Sequence, residues 1–251
     1  HNDILNICEI FNANLLKKEK LAEKDLESKE IKDLQDYIYE VVVKDYNEKS
    51  IKPFIVSEVK SSQVLFDTIE KMGGIPVMCK TGHGYIKSKM KETGSVLAGE
   101  MSGHTFFKDR YYGFDDAVYA GCRIIEIIAN KKRIDKDFKL SDMLKPFDAI
   151  YSSDEYRLSC PNSLKKSTLE TFDNYISKNP SFFGSKIKEI ITLDGMRIVF
   201  EEGGFALIRQ SNTEPVFTLR FEAKDKDTAI KYQDLMVNKL LEIIKESALS
   251  V

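Results

Sequence analysis

Residues 194–223 of this chain are DGMRIVFEEGGFALIRQSNTEPVFTLRFEA, in which short apolar segments alternate with Asp-Gly, Gly-Gly and polar turns. β-Branched and aromatic residues are typical of strands, and these turns are typical of hairpins. Three or four strands with antiparallel pairing are therefore predicted, over the segments Ile187–Leu193, Arg197–Glu201, Ala206–Arg209 and Val216–Glu222. Helices are predicted near 164–177 and 226–245, so residues 149–251 should form a small α+β domain with an antiparallel sheet.

Residues 51–148 have a different pattern, in which short strands alternate with amphipathic helices. The predicted strands are 54–56, 75–78 and 95–99, and the predicted helices are 64–72, 85–91 and 114–130. This alternation predicts an α/β domain with a mixed, mainly parallel sheet. The last helix should pack through its apolar residues at helical spacing: Val118, Cys122, Ile125 and Ile128. The pattern breaks at 145–156, where we predict a linker.

Residues 1–50 are rich in Lys and Glu and carry apolar residues at three- and four-residue steps around 5–16 and 31–42. This spacing predicts a helical N-terminal segment. A solvated helix face or a connector explains the charged residues more simply than a binding role does.

The composition excludes several functional classes. The chain has 38 basic and 40 acidic side chains and a formal charge of −2, so there is no basic excess to indicate nucleic-acid binding. No apolar run is long enough for a membrane helix, and we see no signal peptide at the N-terminus. The 4 cysteines are scattered, which is typical of free thiols in a reducing compartment. We therefore expect a cytoplasmic protein with no membrane partner.

Three polar, glycine-containing loops directly follow predicted strands of residues 51–148. They are Ser57–Ser62, Lys80–Gly84 and Gly99–His104. Ligands of open α/β sheets bind beyond the carboxyl ends of the strands, so these loops should form one site. Lysine, histidine, hydroxyl and carboxylate groups could bind a polyol and exchange protons with it. Taken singly, a histidine beside glycine is more often a capping or loop residue, whereas Glu100 has no evident local partner.

A fourth loop, residues 209–215, lies between two predicted strands of the second domain. It reads RQSNTEP, with Arg220 further along the chain. An arginine, two hydroxyls, an amide and the backbone N–H groups of a tight turn suit a dianionic phosphate. An ordinary polar hairpin turn is the alternative.

Two stretches, TGHGYIKSKMKETGSVLAGEMSGHTFFKDRYYGFDDAVYAGCRIIEI at 81–127 and the opening segment at 194–223, resemble domains 3 and 4 of the α-D-phosphohexomutases. The bacterial phosphomannomutase/phosphoglucomutase type is the most similar branch, and GEMSGH and RQSNTEP are its most specific motifs here. The resemblance implies an isomerase of carbohydrate metabolism that interconverts hexose 1-phosphate and hexose 6-phosphate. A phosphoserine of domain 1 and a Mg²⁺ ion held by domain 2 serve that reaction in the family.

The resemblance also implies residue roles in the first three loops. Glu100 and Ser102 match the sugar-specificity loop and would bind the 3- and 4-hydroxyls. His83 and His104 match histidines near the reacting hydroxyl, as candidates for general acid or base. Lys60 matches a lysine that reaches the substrate and the transferring phosphoryl group. The catalytic candidates are therefore Lys60, His83 and His104.

In the fourth loop, the resemblance assigns phosphate binding to Arg209, Ser211, Asn212 and Thr213. Arg220 matches a supporting arginine. Such a clamp must accept a phosphate at either end of the sugar, because the bisphosphorylated intermediate reorients between the two transfers.

The chain also departs from the family pattern. It contains no Ser-His-Asn-Pro loop and no Asp-Gly-Asp-Gly-Asp-Arg loop, and its acidic pairs, Asp115-Asp116 and Asp225/Asp227, are typical of helix starts. We therefore expect no cofactor in this chain, with Mg²⁺ required by the full-length family enzyme. The chain alone should bind hexose phosphate with negligible turnover. The alternative is a non-catalytic phosphosugar-binding or regulatory module that pairs with a separate N-terminal half. Preference for mannose or glucose stays open.

Overall fold

The computed structural model describes residues 52–145, 150–211 and 213–249. The chain divides into two compact units at residue 148. The helical segment predicted for residues 1–50 lies outside the described residues, and so does Asn212. None of the described helices combines the length and apolar character needed to cross a bilayer.

The first unit is built around a four-stranded sheet with the order β2-β1-β3-β4. Its described elements are β1 (Phe54–Glu58), α1 (Gln63–Lys71), β2 (Ile75–Cys79), α2 (His83–Thr93), β3 (Leu97–Gly99), β4 (Thr105–Phe107) and α3 (Ala117–Ile134), followed by a 3-10 helix at Leu140–Leu144. Strands β2, β1 and β3 are parallel, while β4 pairs antiparallel with β3. The sequence did not indicate β4, because its three residues follow a polar loop without a hairpin-type dipeptide.

Helices cover both faces of this sheet. Because side chains alternate along a strand, Ile55 and Leu97 point to one face while Val56 and Ala98 point to the other. The first face packs against buried residues of α1 and α3: Leu65, Ile69 and Ile127. The second face packs against α2: Ile86 and Met90. This sandwich leaves the carboxyl ends of β1, β2 and β3 at one edge, where the three polar loops emerge.

Helix α3 does not pack through most of the predicted apolar face, of which only Ile128 is partly buried. Val118 is 79% exposed and Ile125 is 67% exposed, while Cys122 is also exposed. The buried face carries Arg123 instead, whose guanidinium lies 4.7 Å from the centre of the Phe107 ring and pairs with a carboxylate in the preceding loop. A paired arginine can occupy a core position, which hydrophobic periodicity does not reveal.

The second unit contains a six-stranded antiparallel sheet with the order β5-β10-β9-β8-β7, in which β6 also pairs with β10. Its elements are β5 (Tyr151–Ser152), β6 (Tyr156–Ser159), α4 (Asn162–Lys178), β7 (Ile187–Ile191), β8 (Met196–Phe200), β9 (Phe205–Gln210), β10 (Val216–Ala223) and α5 (Lys226–Leu249). The predicted linker at 145–156 is wrong in its second half, because 151–152 form β5 and Tyr156 begins β6. These short strands are defined by their pairing with β10, which sequence alternation does not show.

The two faces of this sheet have different compositions. One face packs with α4 and α5 into the main core of the unit, which includes Phe172, Ile208 and Leu219. The other face carries buried charged side chains at alternate positions: Arg197, Arg209, Arg220 and Glu222. The described residues thus contain a mixed sheet, an antiparallel sheet and five α-helices, so the predicted fold class is confirmed at that level.

Candidate functional site

The three loops of the first unit meet on one buried carboxylate, that of Glu58 at the end of β1. Glu58 is 0% exposed. Its Oε2 accepts hydrogen bonds from the Lys60 backbone N–H at 2.9 Å and from the Thr81 hydroxyl at 2.7 Å, and its Oε1 accepts from the Met101 N–H at 3.2 Å. Each donor belongs to a different loop, so Glu58 fixes the three loops relative to one another.

The GEMSGH loop is a tight connection between β3 and β4. The Glu100 N–H donates to the His104 carbonyl and the Gly103 N–H donates to the Glu100 carbonyl, so the loop closes on itself. The Glu100 side chain is nearly buried, and its Oε2 accepts from the Ser102 hydroxyl at 3.1 Å. Glu100 therefore does have a local partner, contrary to the sequence expectation. Its buried Oε1 has no hydrogen-bond partner among the described residues.

His104 has a carboxylate partner, Asp115, which the sequence predicted only as a residue of a helix start. Its Nδ1 lies 2.6 Å from Oδ2 of Asp115. We expected Asp115 and Asp116 both to mark the start of a helix. Only Asp116 does so, by accepting from the Tyr119 N–H. A carboxylate on Nδ1 holds the ring so that Nε2 is the nitrogen presented to other groups.

The remaining predicted residues of the first unit lie in the neighbouring loops. His83 is exposed and is the first residue of α2, directly after Gly82. Lys60 is half-buried in the loop after β1 and is anchored through its backbone to Glu58. Four of the five predicted side chains of this unit thus lie in the loops at the carboxyl edge of the parallel strands, and the fifth, His83, begins the helix that follows the second loop.

The predicted phosphate loop connects β9 to β10. The Ser211 Oγ accepts from the Glu214 N–H at 3.2 Å and from the Thr213 N–H at 3.4 Å. Successive backbone N–H groups that converge on one oxygen can also receive an anion oxygen. Thr213 is exposed, whereas Asn212 belongs to the part of the chain that the structure leaves undescribed.

The two predicted arginines occupy one face of the β9–β10 pair. The Arg209 Nε donates to Oδ2 of Asp194 at 3.1 Å. Arg220 lies within the sheet, is 1% exposed and donates to the Ser152 hydroxyl at 2.5 Å. Residues opposite each other in an antiparallel pair share a face, and Thr218 lies opposite Arg209. Arg220, two residues along β10, therefore lies on the same face as Arg209.

Two further side chains support this loop from outside it. Lys165 of α4 donates to the carbonyl of Ser211 at 2.9 Å and to the carbonyl of Glu214. Arg157 of β6 forms an ion pair with the Glu214 carboxylate. The loop is therefore attached to α4 and to β6 as well as to its own strands.

The last feature of the site residues is their capacity to hold a metal ion. The described residues contain no group of three or more His, Cys, Asp or Glu that could hold a metal ion.

Comparison with known proteins gives the family. The model of the phosphoglucomutase/phosphomannomutase alpha/beta/alpha domain III matches residues 35–147, and that of the C-terminal domain matches 155–239. This chain belongs to the phosphoglucomutase/phosphomannomutase family. It is 41% identical over 177 residues to a phosphoglucomutase of Neisseria gonorrhoeae, covering 70% of this chain and 36% of that protein.

Two other members give a similar result. A phosphomannomutase/phosphoglucomutase of Pseudomonas aeruginosa is 37% identical over 205 residues, which cover 82% of this chain and 42% of the relative. A crystal structure of a phosphoglucomutase/phosphomannomutase family protein from Burkholderia thailandensis superposes with a TM-score of 0.64 at 35% identity, covering 85% of this chain and 41% of that one. This family member thus spans about two fifths of the length of the curated relatives it matches.

Four charged residues of this phosphoglucomutase/phosphomannomutase family member contact the candidate site and were not predicted from the sequence. Glu58 and Asp115 were noted only as part of a loop and of a helix start, and Asp194 only as part of a turn. An acidic residue at the end of an apolar strand, as in FIVSE, could have signalled Glu58. No comparable signal marks Lys165, because a lysine in a charged helix is usually solvated.

Cysteine reactivity tests the packing next to the phosphate loop. Burial raises the pKa of the Cys160 thiol, although Thr168 and Lys165 partly offset this effect. A raised pKa and 1% exposure both reduce the thiolate available for alkylation. N-Ethylmaleimide should therefore modify the exposed Cys122 well before Cys160 or Cys79, as mapped by mass spectrometry of peptides. In urea all three should react, and early modification of Cys160 without urea would contradict this packing.

Proposed function

We propose that this chain is the substrate-binding part of a phosphohexomutase that interconverts hexose 1-phosphate and hexose 6-phosphate. In this proposal residues 51–148 correspond to the sugar-binding domain 3 of the family and residues 149–251 to the phosphate-binding domain 4. The order of the two matched family models along the chain supports the assignment.

The observation that supports the proposal most is the buried Oε1 of Glu100, which has no hydrogen-bond partner among the described residues. A buried carboxylate oxygen without a donor is costly, because ionised carboxylates normally accept several hydrogen bonds. The hydroxyl of a bound sugar would supply the missing donor to Oε1. Ser102, which already donates to Oε2, would position the carboxylate and contact an adjacent hydroxyl. We therefore assign the 3- and 4-hydroxyls of the hexose to these two residues.

His104 is proposed as the general base or acid. With Asp115 on Nδ1, its Nε2 can accept a proton from a sugar hydroxyl or return it. Lys60 and His83, in the two neighbouring loops, are assigned to the transferring phosphoryl group and to ligand contact. All three roles stay predictions.

The phosphate of the substrate is assigned to the loop after β9. The N–H groups of Thr213 and Glu214, the Ser211 hydroxyl and the Arg209 guanidinium are the proposed donors, together with the Asn212 amide. The Ser211 hydroxyl would then turn from accepting the two N–H groups to donating toward the phosphate. Arg220 supports this face from within the sheet.

Phosphoryl transfer also needs a donor and a cation, and the 251 residues contain neither of the two family loops that supply them. We therefore propose that Mg²⁺ and the phosphoserine act from another part of the enzyme. A separate polypeptide carrying both loops is the second candidate arrangement. Mixing the chain with such a polypeptide should then restore mutase activity, and co-purification without activity would instead favour a regulatory module. The cytoplasm stays the predicted compartment.

The binding test uses the chain as it is. Glucose 1-phosphate or mannose 1-phosphate at about a hundred times its Kd should stabilise the protein by about 2.7 kcal/mol, which raises Tm. Arg209→Ala should abolish this shift, because it removes the bidentate donor to phosphate. Arg133→Ala, at an exposed position of α3, is the matched control and should retain it. An unchanged Tm with both ligands at millimolar concentration would contradict the proposal.

A further inference from the structure

Lys165 is a buried cation below the phosphate loop. It belongs to the first turn of α4 and is 4% exposed, whereas its neighbour Lys166 has a side chain that is 85% exposed. Both hydrogen bonds of its ammonium go to backbone carbonyls, one at Ser211 and one at Glu214. These two residues bracket the tip of the loop, so the ammonium ties the two sides of the turn together.

The positively charged residues around the loop differ in whether they have a carboxylate partner. Arg209 is paired with Asp194, and Arg157 is paired with Glu214. Within the ranges that the structure describes, no carboxylate lies within ion-pair distance of Lys165. Burying an ammonium without a counter-charge is unfavourable, even when carbonyl oxygens accept its hydrogen bonds. The Lys165 ammonium is therefore a buried positive charge with no described carboxylate partner, and an anion on the loop would neutralise it.

We infer that Lys165 is a positioning residue that also selects ligand charge: it holds Ser211 and Glu214 in place to receive an anion, and it favours a dianionic phosphate ester over a monoanionic one. This inference rests on the proposed function, because it takes the loop as the phosphate site. Lys165 need not touch the ligand, since charges a few ångströms apart interact strongly where water is partly excluded.

Two sugar esters of different charge separate the electrostatic role from a merely structural one. At about pH 8 a phosphate ester carries close to two negative charges, because its second pKa is about 6, whereas a sulfate ester carries one. Glucose 6-phosphate and glucose 6-sulfate therefore test ligand charge on the same sugar. Loss of loop structure should weaken both esters equally, but loss of a positive charge should weaken the phosphate ester more.

The experiment is isothermal titration calorimetry of the whole chain with both esters. Lys165→Gln removes the charge and keeps N–H donors for the two carbonyls, so it should weaken glucose 6-phosphate binding by about tenfold or more and glucose 6-sulfate binding distinctly less. Lys165→Arg keeps the charge and should keep the preference for the phosphate ester. Lys166→Met is the matched control on the same helix and should change neither affinity.

The outcomes distinguish the inference from the function on which it rests. If the unsubstituted chain binds neither ester, the proposed function fails and the inference falls with it. If that chain binds both esters and Lys165→Gln leaves the ratio of the two affinities unchanged, the charge role is overturned while the proposed function stands. Should Lys165→Gln not fold, as judged by its melting curve, loss of the phosphate preference in Lys165→Arg would overturn the inference.

Discussion

Gly195→Ala is expected to destabilise the protein by about 4 kcal/mol, near the upper end of single-substitution effects. Gly195 has a φ of +90°, and a Cβ built on it would lie 2.1 Å from the Ile208 carbonyl oxygen and 2.7 Å from the Arg209 Cα. Contacts below 3.0 Å are essentially never seen for real Cβ atoms, and both obstacles are backbone atoms. The turn before β8 would therefore have to move away from β9.

Gly203→Ala is the control that separates this close approach from backbone strain. Gly203 has a φ of +92°, but a Cβ on it would meet nothing within 4 Å. Its substitution should cost only about 1 to 2 kcal/mol, the penalty for a left-handed conformation. Urea unfolding of both variants measures the difference. Equal losses of stability would show that the two backbones do not approach each other as described.

Gly195→Ala should also weaken anion binding, because the displaced strand carries Arg209. The residue before it, Asp194, is the ion-pair partner of Arg209, so the substitution disturbs the guanidinium from both sides. Titration with glucose 1-phosphate at a temperature where the variant is folded should show this loss. Gly203→Ala, at the other hairpin, should bind normally.

The elements of the fold were largely predictable because most of them carry a local signal. The hairpins around Gly195 and Gly203 were found from their turn dipeptides, and α1 and α5 from the spacing of their apolar residues. The strands at 151–152 and 156–159 were not found, because they pair with the distant β10, and the strand at 105–107 was not found, because it has only three residues. Helix α3 was found, but its packing face was wrong, since a paired arginine occupies a core position there.

The site was predictable to the level of its loops and not to the level of their supports. Polar residues after strands were enough to select Lys60, Glu100 and the 209–215 segment. The groups that hold these loops are Glu58, Asp115 and Lys165, and each acts on residues that are distant in sequence or on backbone atoms. A hydrogen bond from a side chain to a distant carbonyl leaves no pattern in a single sequence, so these supports appear only in the structure.

Glu58→Ala is expected to destabilise the first unit by about 3 kcal/mol, because it leaves three buried or half-buried donors without their acceptor. The three polar loops that Glu58 connects should become more mobile as a result. Its carboxylate receives the N–H groups of Lys60 and Met101 and the hydroxyl of Thr81. Glu58→Gln should cost less, since its one remaining oxygen still accepts. The exposed Glu70 on α1 is the matched control, and Glu70→Ala should be nearly neutral.

Hydrogen exchange identifies the cause of that loss, because it reports each amide separately. In Glu58→Ala the Lys60 and Met101 amides should exchange faster, whereas the Val59 amide, bonded to the Cys79 carbonyl, should stay protected. Hexose phosphate binding should weaken in parallel, since Glu100 depends on the position of the Met101 backbone. Unchanged exchange at Met101 would mean that the GEMSGH loop keeps its place without Glu58. The carboxylate would then be a local cap of the loop after β1, and the three loops would have to be held together by their strands alone.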